Sequence, residues 1–159
     1  MKITPMDIRE ICERVIKRIL SNKHLFENYD ESTIDKIVAE EIGEQEYYVT
    51  HIKDSIKKYG NGNEYEGFDS WIEFWEKRNS EHKKVKTIGK CPCCGEPMLE
   101  PDGAHVKDDS DNIYITPTCS KCNGASAQDE KFRALPFKVK FKYLVPFNYN
   151  ELKKLRHAK

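Results

Sequence analysis

Two Cys-x-x-Cys pairs constrain this chain more than any other feature of its 159 residues. They are Cys91-Pro92-Cys93-Cys94 and Cys119-Ser120-Lys121-Cys122, separated by 24 residues. Two intervening residues let both sulfurs of a pair converge on one ion in a tight turn, and two such turns complete a tetrahedral thiolate site. Gly95 follows Cys94, where the turn calls for a positive φ. Cys91, Cys94, Cys119 and Cys122 are therefore expected to bind one structural Zn²⁺. Cys93 is then a spare thiol or an alternative ligand. Residues 1–20 carry scattered charges and no unbroken apolar stretch, which argues against a secretory leader. A reducing, cytoplasmic location follows as the expectation, and there cysteines bind metal rather than form disulfides. No run of 18 apolar residues exists, so no membrane-spanning helix and no membrane partner are expected.

The segment between the pairs reads as a β-hairpin. Gly103-Ala104-His105-Val106 is small and apolar around one histidine, and Lys107 to Asn112 is polar. Ile113-Tyr114-Ile115-Thr116 is β-prone and is stopped by Pro117. The second cysteine pair opens a helix that continues through Ala125 to Phe132. The order knuckle, hairpin, helix, tied by one metal, is a treble-clef arrangement.

Cys91-x-x-Cys94, Ala104-His105-Val106 and Cys119-x-x-Cys122-Asn123 resemble the zinc-stapled HNH endonuclease pattern. The likeness covers residues 91–130, about a quarter of the chain. Tyr114-Ile115-x-Pro117, Phe137-x-Val139 and Leu144-Val145-Pro146 extend it to small bacterial HNH-like proteins. The resemblance implies a ββα-metal core that hydrolyses phosphodiesters with a divalent ion, Mg²⁺ or Mn²⁺. His105 matches the general base, Asn123 the helix residue that binds the catalytic ion, and Asn112 the Asn that steadies the loop. An imidazole titrating near neutrality suits the task of taking a proton from water. Many members carry a metal-binding Asp or His just before the catalytic His, where this chain has Ala104. Asp102, Asp108, Asp109 and Asp111 all remain open as sources of the missing carboxylate.

Upstream, the periodicity is helical. Ile8, Ile11, Cys12, Val15, Ile16, Ile19 and Leu20 form one stripe over residues 5–20, with Thr4 as N-cap and Cys12 as a core thiol. A second helix is expected over 32–42, capped through Ser32 and Asp35 and ended by Gly43. A third is expected over 44–59, on Val49, Ile52, Ile56 and Tyr59. Asp69 is the expected cap of a fourth, whose Trp71, Ile72, Phe74 and Trp75 seal the helical core. The charged stretch 76–86 is the expected boundary between a helical domain, 1–83, and the zinc module with its basic extension, 87–159.

The net charge is zero, but it is divided. Residues 1–83 hold 13 Lys and Arg against 18 Asp and Glu, while 131–159 holds nine basic residues against Glu151 alone. A basic tail suggests a polyanionic partner. Phe137 to Tyr143 alternates apolar with Lys138, Lys140 and Lys142, so a strand there would line up three ammonium groups about 7 Å apart, near a phosphate repeat. Asn150 is the expected cap of a last basic helix, 151–157.

The expectation is thus an α+β chain: a helical domain, then a zinc-bound treble-clef ββα module with a basic strand and tail. Its leading function is metal-dependent hydrolysis of phosphodiester bonds in DNA by an HNH-type mechanism, with nucleic acid, DNA foremost, as the expected partner. The alternatives are a non-catalytic zinc module that binds nucleic acid, and a zinc-stabilised adaptor. In the adaptor reading, the N-terminal helical domain meets a protein partner or a second copy.

Overall fold

The computed structural model describes residues 5–21, 31–79, 84–85 and 88–157. Thr4, the Ser32 side chain and part of the 76–86 stretch lie outside what is described. Two helices come first, α1 (Pro5–Ser21) and α2 (Glu31–Gly43). They pack on each other through Ile11, Val15 and Ile37, with Ile19, Val38 and Ile42 at the edges. Cys12 is exposed, which corrects its expected place in the core. A single partner helix covers only one flank of the wide α1 stripe.

The expected helix over 44–59 does not form. Residues Glu46–His51 are strand β1, and only Ser55–Tyr59 is helical, as α3. Tyr47, Tyr48, Val49 and Thr50 are aromatic or β-branched and suit a pleated surface. Neighbours on both sides decide the matter. β1 pairs antiparallel with β4 (Phe137–Lys140) from Glu46↔Lys140 to Val49↔Phe137, and with β2 (Pro101–Lys107) at His51↔Val106.

β2 and β3 (Ile113–Cys119) form the hairpin, in register from Pro101↔Cys119 to Lys107↔Ile113. With β5 (Val145–Pro146) they complete a five-stranded antiparallel sheet of order β4-β1-β2-β3-β5. The sheet therefore takes strands from both sides of residue 83. Helix α4 (Trp71–Arg78) crosses it, and its cap is Ser70 rather than Asp69. The Ser70 hydroxyl accepts from the Glu73 N–H at 3.1 Å, and Glu73 Oε2 accepts from the Asp69 N–H at 3.0 Å. The close approach of α4 demands Gly103, since a Cβ there would collide with the Trp71 backbone.

Phe74 and Trp75 are fully buried with Tyr65, Phe68, Ile115 and Phe147 in the main core. A second cluster on the opposite sheet face holds Val49, Ala104, Val106, Phe137 and Val139. After β3 come α5 (Ser120–Gln128) and α6 (Glu130–Ala134). Two C-terminal expectations are corrected. The basic strand ends at Lys140, and Phe141–Tyr143 is a 3-10 turn. The last helix is α7 (Tyr149–Leu152), capped by Asn148 rather than Asn150 and followed by a 3-10 turn over Lys153–Leu155. No helix among the described residues is long and apolar enough to cross a membrane.

Candidate metal centre and the neighbouring cleft

The cysteine cluster is built by two turns meeting at the open end of the hairpin. In the first, the Gly95 N–H donates to the Cys91 carbonyl and the Cys91 N–H to the Glu96 carbonyl, each at 2.8 Å. Gly95 closes this knuckle with φ +78°. The second is the passage from β3 into α5: Cys119 ends the strand and caps the helix, and Cys122 lies in its first turn. The Ser120 N–H to Glu100 carbonyl bond, 2.8 Å, and the Cys119 N–H to Cys91 Sγ contact, 3.3 Å, bring the turns together.

The Sγ atoms of Cys91, Cys94, Cys119 and Cys122 all lie within 4.8 Å of one another. A zinc–thiolate bond of about 2.3 Å gives a tetrahedron with sulfurs about 3.8 Å apart. Cys94 and Cys119 stand at 3.8 Å. The residues thus fit one tetrahedral, thiophilic ion. Burial raises the Cys91 and Cys122 thiols above their ordinary value, whereas the Glu96 N–H lowers exposed Cys94. Metal binding would displace these protons.

Cys93 is not one of the four mutually close sulfurs, although it neighbours Cys122. Its Sγ lies 3.9 Å from His51 Nε2, and burial pushes its thiol up to about 11. His51 is itself buried between Phe132 and Phe137.

His105 is on β2, but not at an open rim. It is 4 % exposed, stacked on Tyr59 at 5.0 Å and met edge-on by Trp71 and Phe147 at 4.8 and 4.9 Å. This aromatic box holds the imidazole neutral and pushes its pKa down to about 3. Its Nε2 is buried with no hydrogen-bond partner. His105 and Asn123 line one cleft of about 390 Å³, together with Asp102, Asp69, Asn61 and Asn63. Asn123, in the first turn of α5, donates from Nδ2 to Asp102 Oδ2 at 3.2 Å.

Asn112 is elsewhere. Its N–H and Nδ2 donate to the Asp108 carboxylate at 3.0 and 3.1 Å, which steadies the hairpin turn far from the cleft. The three lysines do not form a row. Lys140 donates to Glu44 at 2.8 Å and Lys142 to the other oxygen of the same carboxylate, while exposed Lys138 lies over the Tyr48 ring. These two lysines hold the Glu44 carboxyl down at about 2. The sequence offered no signal for Tyr59 and Phe147 around His105, since they come from distant segments. Asp102 was one of four equal candidates.

No protein-family model, curated protein or solved structure matches the chain.

Proposed function

We propose that the chain is a metal-dependent phosphodiesterase of HNH type acting on nucleic acid, DNA foremost, with a treble-clef ββα unit stapled by zinc. One observation supports this reading above the others. His105 from the hairpin and Asn123 from the following helix line the same cleft, beside the cysteine cluster that ties hairpin to helix. Cys91, Cys94, Cys119 and Cys122 would hold the Zn²⁺, whose part is to fix the fold. Asn123 would help to hold a Mg²⁺ or Mn²⁺ ion, which when bound supplies charge stabilisation at the scissile phosphate. His105 is neutral at physiological pH and so has a lone pair to accept a proton from water. An incoming phosphate raises its proton affinity by placing negative charge nearby.

The test is nicking of supercoiled plasmid by the zinc-loaded protein in Mg²⁺ or Mn²⁺, with EDTA as control. His105→Gln is expected to lower the rate by roughly 10²–10⁴-fold at unchanged zinc content. Failure of the wild type to cleave single-stranded, double-stranded or structured DNA or RNA would reject catalysis. The second reading, a non-catalytic zinc module that binds nucleic acid, is favoured by the sealing of His105 at 4 % exposure. It requires salt-sensitive DNA binding without cleavage.

A further inference from the structure

We propose that the exposed flank of α1 is a contact between two copies of this chain, which pair antiparallel about a two-fold axis at the level of Val15. This contact needs nothing of the phosphodiesterase reading.

Ile8, Cys12, Ile16 and Leu20 recur at every fourth residue of α1, so they form one continuous ridge along the helix. Helix α2 covers the adjacent ridge, Ile11, Val15 and Ile19. It leaves this one in solvent: Ile8, Ile16 and Leu20 are 51–56 % exposed, and Cys12 is exposed as well. Exposed apolar residues such as Leu99 and Leu135 come singly from separate segments and are ordinary. A contiguous row is not, and marks a contact surface. A shallow groove of about 400 Å³ runs beside it, lined by Glu13, Ile16, Lys17, Leu20 and Ser21.

The charges beside the row select the occupant. Glu13 and Lys17 stand one turn apart, and neither is in an ion pair among the described residues. By contrast, Arg14 pairs with Glu10, and Arg18 with Glu40 and Glu41. In two antiparallel helices related by a two-fold axis, each flank meets its own copy, reversed. With the axis at the level of Val15, Glu13 stands level with the partner's Lys17, and Lys17 with the partner's Glu13. Two reciprocal ion pairs result. The same register interleaves the apolar ridge. Ile16 falls between the partner's Ile16 and the partner's Cys12, and Leu20 between the partner's Cys12 and the partner's Ile8, each about 3 Å away along the axis. One register thus satisfies charge and packing together. A parallel pair does not bring the Glu13–Lys17 flank against its own copy.

The contact also answers a need of the helices. Among the described residues their shared core buries only Ile11, Val15 and Ile37, and helices draw most of their stability from the apolar face they pack. Four side chains per copy make a small interface, so a concentration-dependent dimer of about micromolar Kd is expected.

The experiment is sedimentation equilibrium of the zinc-loaded full chain from about 1 to about 500 µM. The wild type should pass from monomer to dimer and no further, because a two-fold contact closes on itself. Ile16→Glu places a charge in the row without touching the core, and should weaken the dimer at least about tenfold at unchanged helix content. Glu13→Lys and Lys17→Glu each set like charges opposite one another and should weaken it about tenfold, and combining the two exchanges should restore it. A chain that stays monomeric throughout, assembly beyond the dimer, or a dimer indifferent to Ile16→Glu overturns the proposal. A dimer that needs Ile16 but is not rescued by the double exchange overturns the antiparallel register.

Discussion

The α1–α2 hairpin and the sheet body solve the same problem with unequal means. The body has two clusters, with Trp75, Phe74, Tyr65, Ile115, Val49, Val106 and Val139 each at most 1 % exposed. Among the described residues the hairpin's core has three buried side chains, Ile11, Val15 and Ile37. On its outer flank Ile8, Ile16 and Leu20 stay 51–56 % exposed. Helix pairs draw most of their stability from the packed face, not from propensity. The body adds a cluster of four close cysteines and a long hairpin; the α1–α2 pair adds ion pairs such as Arg18 with Glu40 and Glu41, worth little at an exposed surface. The lesson is that the chain's stability, and with it the geometry of the cleft, resides in the body. Glu44, just past α2, lies at the seam between the two and grips Lys140 and Lys142.

The largest expected effect comes from stripping whatever ion the four cysteines hold. Zinc on four thiolates would contribute binding free energy on the order of 10 kcal/mol to the folded state. Chelation should abolish the cooperative unfolding of the body and expose Trp75, read as a red shift in fluorescence. A chelated, zinc-free protein that melts as the loaded one does would show that the four cysteines are not a structural staple.

Next come core truncations on the two sides. Trp75→Ala removes a fully buried indole whose Nε1 donates to the Tyr143 carbonyl at 2.8 Å, and should cost about 3–5 kcal/mol. Ile11→Ala should cost about 2 kcal/mol, because the thin hairpin core relaxes around the gap. Urea melts compare the two, and equal losses would break the contrast. Amide exchange sharpens it: β2–β3 amides should outlast those of α1.

The smallest effect lies at the seam. Glu44→Gln should cost less than about 1 kcal/mol, since the pair is largely exposed. The Glu44 carboxyl falls from its ordinary 4.5 to about 2, first through Lys140 and then Lys142. Its contribution is complete above pH 4.5 and is lost as pH falls through about 2. The variant should lack that acid limb, and an unchanged stability–pH curve would mean that the lysines do not couple the two regions.

The last contrast is between what sequence and tertiary structure each decided. Cysteine spacing needs only local geometry, so the four clustering thiols were legible from the two-residue gaps and Gly95, while the same gaps leave Cys93 open as a spare thiol or an alternative ligand. The β2–β3 hairpin and the start of α5 followed from the same local pattern, as did α1 and α2 from their apolar period; but β3 runs through Pro117 to Cys119 instead of stopping there, and the helix expected to reach Phe132 ends at Gln128, with α6 beginning after the Asp129 cap. What went wrong had non-local causes. Val49, Ile52, Ile56 and Tyr59 carry a helical period over 44–59, yet pairing with β2 and β4 made residues 46–51 a strand. Lys140 and Lys142 alternate as phosphate contacts would, but Glu44, almost a hundred residues away, takes both. His105 sits where the motif puts it, yet Tyr59, Trp71 and Phe147 close around it and set its protonation. Asp102 became distinct from Asp108, Asp109 and Asp111 only once α5 was laid beside β2. Patterns along the chain fix which turns and helices can form; the neighbours that set charge, burial and pairing arrive from elsewhere in the chain, so only packing decides them.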